Sequence, residues 1–268
     1  MANNKNFGFK ARALLGTAGI VFALSAGPAL AGSISTTSVS LANGSQTVNI
    51  TDTQQSVDGG GSNVIAGTIQ LQTNIGVLNT YCVDMFDYIS VGNPENYTFS
   101  QSQLTAGSTF RNGTATGTFT QAQVNDLTAL LINAGSLAST SAVDSAALQV
   151  AVWEIEYDTA AGNGSYTIGQ SGGSDPFYMT STGSGSTSAL SLAQTWLNDV
   201  TGYQNGSNWV SATWLTNSNY VVDYLTASGT QNLIYLANNV ASAPEPSSIG
   251  VIGVGLLGLW AARRRKLI

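Results

Sequence analysis

The 268-residue sequence predicts a β-rich α+β domain of sandwich or barrel-like form, with about three helices inserted between its strands. Runs of β-branched residues near both ends of the body predict strands. Helix-start signals are confined to the middle of the body, which predicts that the helices are inserted there. An apolar segment beside basic residues at each end of the chain predicts a signal helix and a hydrophobic sorting helix that flank the domain.

The N-terminus has the composition of a secretory signal peptide. An apolar run over residues 13–26 follows three basic residues, Lys5, Lys10 and Arg12. Ala29 and Ala31 supply the small side chains of a cleavage site, so we expect a signal peptide over residues 1–31, cut after Ala31. A retained membrane anchor is the alternative, although the run is shorter than the roughly 20 residues of a spanning helix.

The first part of the body is rich in β-branched residues and turn formers. Four runs predict strands there: residues 34–41, 47–51, 63–72 and 77–86. The glycine-rich residues 58–62 predict a flexible loop between the second and third of these strands.

Helical signals follow in the middle of the body. Thr120 and Gln123 have the spacing of a capping box, and the helix that they begin is expected to end near Gly135. Ser141 and Asp144 begin a second helix, which is apolar on nearly all sides and is therefore expected to be buried.

The last part of the body returns from helix to strand. A third helix fits residues 188–200, with Gly202 as its stop signal. Residues 162–188 before it are rich in Gly, Ser and Thr, and predict a long loop or a β-excursion. Three further strands are expected to close the domain: residues 209–215, 220–226 and 232–237.

The C-terminus has three features in a fixed order. Pro244, Glu245 and Pro246 come first, and an apolar run over residues 249–262 follows them. The chain then ends in a basic cluster that consists of Arg263, Arg264, Arg265 and Lys266. This cluster predicts that the end of the chain stays cytoplasmic. The segment over residues 244–268 resembles the PEP-CTERM sorting signal, which implies a Gram-negative bacterium, transient contact with the inner membrane and processing by an exosortase.

The charges of the chain are distributed unevenly. The net charge is −6, but seven of the eight basic residues lie in the two terminal segments. The body over residues 32–243 contains 13 acidic residues and a single basic one, Arg111, so its formal charge is −12. A chain this acidic is not expected to bind nucleic acid.

The absence of histidine and the single cysteine exclude several chemistries. Catalysis by a Ser-His-Asp or Cys-His apparatus needs an imidazole base, and zinc sites built from His and Cys need several such ligands. No metal site and no cofactor is predicted. An intramolecular disulfide framework is excluded as well, since it needs at least two cysteines.

Cys82 and Gln149 are the two residues that need a chemical explanation. A lone cysteine in an exported protein is a buried free thiol, an intermolecular disulfide partner or a reactive group. Gln149 lies inside the apolar run of the second helix, where an amide must be hydrogen-bonded or chemically consumed because burial without a partner is costly.

The two residues lie in motifs that together resemble the thioester domain of bacterial surface adhesins. That family has an aromatic-Cys motif, matched here by Tyr81-Cys82-Val83-Asp84, and a later Gln-x-Ala-Ile-Trp motif, matched by Gln149-Val150-Ala151-Val152-Trp153. Val152 replaces the usual Ile, and Leu148 stands where Thr is common. The resemblance implies a similar fold for much of the body and a thioester between Cys82 and Gln149.

The chemistry of such a bond suggests roles for neighbouring residues. In a helix Trp153 lies one turn beyond Gln149, where it is a candidate shield against water, although ordinary core packing also accounts for it. Asp84 is a candidate for proton transfer, with a solvated surface carboxylate as the simpler interpretation. Tyr81 is a candidate supporting residue.

We therefore expect an exported cell-surface or extracellular-matrix protein with an internal Cys82–Gln149 thioester, used once for covalent attachment to an amine-bearing molecule rather than for enzymatic turnover. The alternative is a non-covalent structural protein of a biofilm or floc matrix, with Cys82 as a buried free thiol and exopolysaccharide as a candidate partner. A hydrolase that works through Glu154 and Glu156 is the weakest hypothesis, since a solvated helix end accounts for these carboxylates more simply.

Overall fold

The computed structural model describes residues 32–52, 62–92, 96–112, 115–158, 165–169, 177–205 and 208–239. The predicted signal helix with its cleavage residues Ala29 and Ala31 lies outside the described residues, and so does the predicted sorting helix with its flanking motifs. The predicted loop over residues 58–62 is described only at Ser62, which begins a strand.

Eleven strands are present in the described part of the chain. They are β1 (Ser33–Asp52), β2 (Ser62–Thr73), β3 (Gly76–Cys82), β4 (Thr98–Gln103), β5 (Thr109–Asn112), β6 (Ala115–Thr118), β7 (Phe177–Ser181), β8 (Tyr203–Asn205), β9 (Asn208–Val210), β10 (Tyr220–Thr226) and β11 (Leu233–Asn238). Seven of them form one antiparallel sheet in the order β2-β3-β11-β10-β4-β1-β7. Two small hairpins, β5-β6 and β8-β9, complete the set.

The long strand β1 closes the sheet on itself. It pairs with β4 through Ser33–Ser35, with β2 along most of its length and with β7 through Val48–Asp52. Because β2 also begins the strand order, the pairing of β1 with β2 joins six strands into a ring. The predicted β-rich, barrel-like α+β class is therefore confirmed.

An irregularity in β1 explains why the sequence shows two strands there. The register shifts between Ala42 and Gln46, where Asn43 and Gly44 adopt positive φ values of 60° and 87°. Asn and Gly tolerate this left-handed conformation, which bends a strand without ending it.

The three helices are α1 (Gln121–Ala134), α2 (Ala142–Tyr157) and α3 (Ser184–Thr201). The predicted capping box of α1 is present, since Thr120 accepts from the amide N–H of Gln123 and the Gln123 side chain accepts from that of Thr120. Ser141 caps α2 as predicted, by accepting from the amide N–H of Asp144. Gly202 ends α3 with a positive φ of 84°.

Helix α2 lies at the centre of the domain, between the sheet strands β1 and β2 and the helices α1 and α3. Every residue from Ser145 to Glu156 is buried. Most side chains of α2 are apolar, and they lie on nearly all sides of the helix. The predicted burial of this helix is confirmed, and it fixes the position of Gln149 inside the core.

Several predicted boundaries are wrong. The strand expected to run to residue 86 ends at Cys82, and α3 begins at Ser184 rather than at residue 188. Of the strand expected over residues 209–215, only the first two residues are regular, as part of Asn208–Val210. The segment predicted as a loop or a β-excursion contains β7, in agreement with the β-excursion. None of the described helices has the length and apolar composition needed to cross a membrane.

Candidate functional site

Cys82 is the last residue of β3, at the point where the strand enters the core. It pairs with Leu233 of β11, and the amide N–H of Val83 extends this pairing by donating to the carbonyl oxygen of Asn232 at 3.0 Å. Cys82 is 2% exposed, so its thiol is surrounded by protein.

Gln149 meets Cys82 from the middle of α2. Its side-chain oxygen accepts a hydrogen bond from the Cys82 amide N–H, and its side-chain nitrogen donates one to the Cys82 carbonyl oxygen, both at 2.8 Å. Gln149 is 1% exposed. The structure therefore brings together the two residues that the sequence singles out, although they lie 67 positions apart.

The Cys82 thiol is held in a neutral state. Burial raises the pKa of the thiol well above its ordinary value, and the carboxyls of Glu156 and Asp84 raise it further. The hydrogen bond to the Asp84 carbonyl oxygen, which the thiol makes at 3.2 Å, and the Trp153 side chain oppose this rise. A neutral thiol must lose its proton as it attacks a carbonyl carbon.

The chain that follows Cys82, residues 83–87, is called the site loop below. Gln231 donates from one side-chain nitrogen to the carbonyl oxygens of Asp84 and Asp87, at 2.7 and 3.0 Å. Arg111 bonds the Phe86 carbonyl oxygen at 3.1 Å and forms a salt bridge with Asp87 at 2.7 Å. These contacts fix the backbone that accepts the thiol hydrogen.

Two carboxyl groups close to Cys82 are buried, contrary to the sequence-based interpretation. Asp84 and Glu156 are each 2% exposed, so neither a solvated surface carboxylate nor a solvated helix end describes them. Burial raises the pKa of Asp84 to about 6, against a hydrogen bond from the amide N–H of Phe86 that lowers it. Burial, and next the Asp84 carboxyl, raise the pKa of Glu156 well above its ordinary value. Glu154 is fully buried as well.

Trp153 and Tyr81 occupy different positions relative to the pair. Trp153 is 3% exposed and lines the same cavity as Cys82 and Gln149, where a shield against water would have to lie. Tyr81 lines a second cavity of about 330 Å³ instead, and its supporting role stays a prediction. Burial raises the pKa of the Tyr81 hydroxyl to about 12, and a hydrogen bond with the Thr68 side chain opposes this.

A cavity of about 430 Å³ connects the Cys82–Gln149 pair to the surface. Its inner wall includes Cys82, Gln149 and Trp153, and its outer wall includes the exposed side chains of Ile65 and Tyr88. Most of the other lining side chains are apolar. The wall of this cavity is therefore largely apolar, a lining that favours an aliphatic group over bulk water.

Three supporting residues were not assigned to the site from sequence. Ser145, one turn before Gln149, anchors α2 to β2, and Gln231 and Arg111 hold the site loop. One feature of the sequence could have singled out Arg111, because it is the single basic residue of the body. No set of three or more Cys, Asp or Glu side chains in the described ranges is arranged to hold a metal ion.

Comparison with known protein families confirms the sorting motif predicted at the C-terminus. The PEP-CTERM protein-sorting motif matches residues 242–266, which places the chain among exported, envelope-associated proteins of the class that an exosortase processes. No curated protein matches the chain.

Comparison with solved structures finds similarity in fold. The N-terminal domain of the Streptococcus pyogenes pilus tip adhesin Cpa matches at 12% sequence identity and a TM-score of 0.38. The similarity covers 72% of this chain and 94% of that one.

Proposed function

We propose that this exported protein forms an internal thioester between Cys82 and Gln149 and uses it once, for covalent attachment to an amine-bearing molecule at the cell surface or in the extracellular matrix. The observation that carries the proposal is the pair of 2.8 Å hydrogen bonds between the Gln149 side chain and the Cys82 backbone. They hold the Gln149 amide beside the residue whose thiol would attack it.

Thioester formation is a balanced exchange of one bond for another. The Cys82 sulfur bonds to the side-chain carbonyl carbon of Gln149, the carbon–nitrogen bond breaks, and the thiol proton leaves with the nitrogen as ammonia. The developing negative charge lies on the Gln149 side-chain oxygen. The Cys82 amide N–H already donates to that oxygen at 2.8 Å, within the range of an oxyanion-stabilising donor.

The second step consumes the stored acyl group. An incoming primary amine attacks the same carbonyl carbon, the carbon–sulfur bond breaks, and a proton from the amine returns to the Cys82 sulfur. An amide then links Gln149 to the partner. The body contains no lysine side chain that would capture the acyl group within the same chain, which favours an amine from another molecule.

The alternative function is a non-covalent matrix protein in which Gln149 only joins α2 to the end of β3. One observation favours it. The two hydrogen bonds pair both the oxygen and the nitrogen of the buried Gln149 amide, so this side chain stabilises the fold without any reaction. Exopolysaccharide stays a candidate partner in this case.

Mass spectrometry of the exported protein separates the two functions. A thioester makes the protein lighter by one ammonia, and the Cys82→Ser variant is expected to have its full mass. Methylamine is expected to add to Gln149 and to release a Cys82 thiol that a maleimide then labels. An unmodified Gln149 amide beside an unmodified Cys82 thiol in every molecule would contradict the proposal and leave the non-covalent function.

A further inference from the structure

The hydroxyl group of Tyr157 joins three segments of the chain at one point. Tyr157 is the last residue of α2, the helix that carries Gln149. Its hydroxyl oxygen accepts a hydrogen bond from the amide N–H of Met85 in the site loop, at 3.2 Å. The same hydroxyl donates to the carbonyl oxygen of Arg111 in β5, at 3.1 Å. One side chain therefore connects the helix of Gln149 to the loop that follows Cys82.

Aromatic packing holds this hydroxyl in place. The Tyr157 ring lies edge-on to Phe86 of the site loop, at a centroid distance of 6.0 Å, and to Phe110 of β5, at 5.5 Å. A third ring, that of Phe177 at the start of β7, also lies at 5.5 Å. Aromatic pairs at these distances attract one another and prefer particular relative orientations. Because the ring contacts three different segments, the hydroxyl at its tip has a defined position.

The bond to Met85 acts on the group that receives the Cys82 thiol hydrogen. The thiol donates to the carbonyl oxygen of Asp84 at 3.2 Å. This carbonyl and the Met85 N–H belong to one planar, trans peptide group, so they point in opposite directions from the same rigid plane. Tyr157 bonds one side of the plane, and the Cys82 thiol bonds the other. A fixed N–H therefore fixes the carbonyl, and the fixed carbonyl limits the rotation of the thiol.

Two further residues hold other groups of the same loop. The Arg111 guanidinium donates to the Phe86 carbonyl oxygen at 3.1 Å, and the Gln231 side chain donates to the Asp84 carbonyl oxygen at 2.7 Å. Neither of these two residues belongs to α2. Among the three contacts, the one from Tyr157 is therefore the one that links the orientation of the loop directly to the helix that carries the glutamine.

We propose that Tyr157 is a positioning residue for thioester formation, which orients the Cys82 thiol through the site loop while its own helix presents Gln149. This inference rests on the proposed function, because it assigns a residue to that reaction. Thioester formation requires the sulfur to face the side-chain carbonyl carbon of Gln149, and reactions of this kind are sensitive to small errors of position. A hydroxyl that fixes both segments reduces those errors.

The Tyr157 hydroxyl acts without exchanging its proton. Burial raises the pKa of this hydroxyl well above its ordinary value, and the Glu156 carboxyl raises it further. The hydroxyl therefore keeps the hydrogen that it donates to the Arg111 carbonyl oxygen. The bonds that form and break stay those of the proposed function, and no further reactant is needed.

The first test compares two variants of the full chain, produced in a host that exports it. Tyr157→Phe removes the hydroxyl and keeps the ring. Tyr235→Phe is the matched control, because the Tyr235 hydroxyl also accepts one hydrogen bond, from Gln101 at 2.7 Å, and donates one, to Asp223 at 3.0 Å. Intact mass is followed after protein synthesis is stopped, and chemical denaturation measures stability. Both variants should lose some stability, but Tyr157→Phe should lose ammonia about 5-fold more slowly than the control, which is the scale of one lost hydrogen bond.

The second test examines the site loop when no thioester can form. In a Gln149→Ala background Cys82 stays a free thiol, and a maleimide labels it at a rate that depends on local opening of the loop. Tyr157→Phe is expected to raise this rate about 5-fold, while Tyr235→Phe leaves it unchanged. A residue that only stabilised the fold would change the labelling rate in proportion to the stability lost.

Failure of this inference and failure of the proposed function give different results. If the wild type loses ammonia and the two variants lose it at equal rates, the positioning role of Tyr157 is overturned. Labelling that Tyr157→Phe accelerates no more than Tyr235→Phe overturns it as well. A wild-type protein that never loses ammonia contradicts the proposed function itself, and the role of Tyr157 in that reaction fails with it.

Discussion

The hydroxyl oxygen of Ser145 accepts a hydrogen bond from the backbone N–H of Thr68 at 2.7 Å, inside the core. The same hydroxyl lies 3.1 Å from the Thr68 side-chain oxygen and 3.3 Å from the carbonyl oxygen of Ala42. Ser145 therefore ties α2 to β2 and to the bulged part of β1. Because Ser145 lies one turn before Gln149, this contact sets the position along the helix at which Gln149 meets Cys82.

Replacement of Ser145 by Ala is expected to weaken both the fold and the site. The Thr68 N–H loses its partner in a buried position, which costs about 1–3 kcal/mol of unfolding free energy. Chemical denaturation measures this loss, and intact mass measures the expected fall in the fraction that has lost ammonia. Ser188→Ala is the matched control, since the exposed Ser188 hydroxyl bonds only within α3. Equal stability of the two variants would contradict the anchoring role.

The sequence predicts the Cys82–Gln149 pair but not the surroundings of that pair. A cysteine at a strand end and a glutamine in an apolar helix are visible as residue types in local patterns. The burial of Asp84 and Glu156 depends on where α2, β3 and the site loop lie in three dimensions, and no local pattern carries that information. Short polar stretches near a helix end are usually solvated, which is why the sequence-based interpretation of Glu156 was wrong.

Helix boundaries show the same distinction between local and non-local causes. The capping residues Thr120 and Ser141 act within four residues of themselves, and both predicted starts are correct. The start of α3 has no side-chain cap of this kind, because Gly183 stands at that position. Strand β7 pairs with β1, more than a hundred positions earlier in the chain, and local composition predicts this segment only as a loop or a β-excursion.

Replacement of Gln231 by Ala is expected to loosen the site loop. The variant loses two hydrogen bonds, to the carbonyl oxygens of Asp84 and Asp87, which amount to about 1–2 kcal/mol together. In a Gln149→Ala background, where Cys82 stays a free thiol, we expect faster labelling of that thiol by a maleimide. Unchanged labelling kinetics would show that Gln231 does not restrict access to Cys82.

Replacement of Trp153 by Phe is expected to admit water to the thioester. The smaller ring leaves part of the cavity wall beside Cys82 and Gln149 unfilled, so hydrolysis should compete with attachment. Peptide mapping detects the product, because hydrolysis converts Gln149 to a glutamate. The control is Trp214→Phe, whose ring packs against Trp196 and not in this cavity. The shielding role fails if both variants contain the same hydrolysed fraction.

Asp126 gives the fold a dependence on pH that can be isolated in one variant. Burial raises the pKa of the Asp126 carboxyl from 3.8 to about 6 in the folded protein, although the Tyr166 hydroxyl donates to it at 3.1 Å. Between these two values the folded state binds more protons than the unfolded state. The contribution of this group to stability is therefore complete below pH 3.8 and is lost as the pH rises through about 6.

Replacement of Asp126 by Asn is expected to remove this dependence, because the amide does not ionise and still accepts from Tyr166. The unfolding free energies of the variant and the wild type should diverge in favour of the variant as the pH rises from 4 to 7. Both proteins share the other buried acids, such as Asp84 and Glu156, so the difference between the two curves isolates Asp126. Urea titrations at several pH values measure the difference. A gap between the curves that stays constant over this range would show that the Asp126 carboxyl has its ordinary pKa in the folded protein.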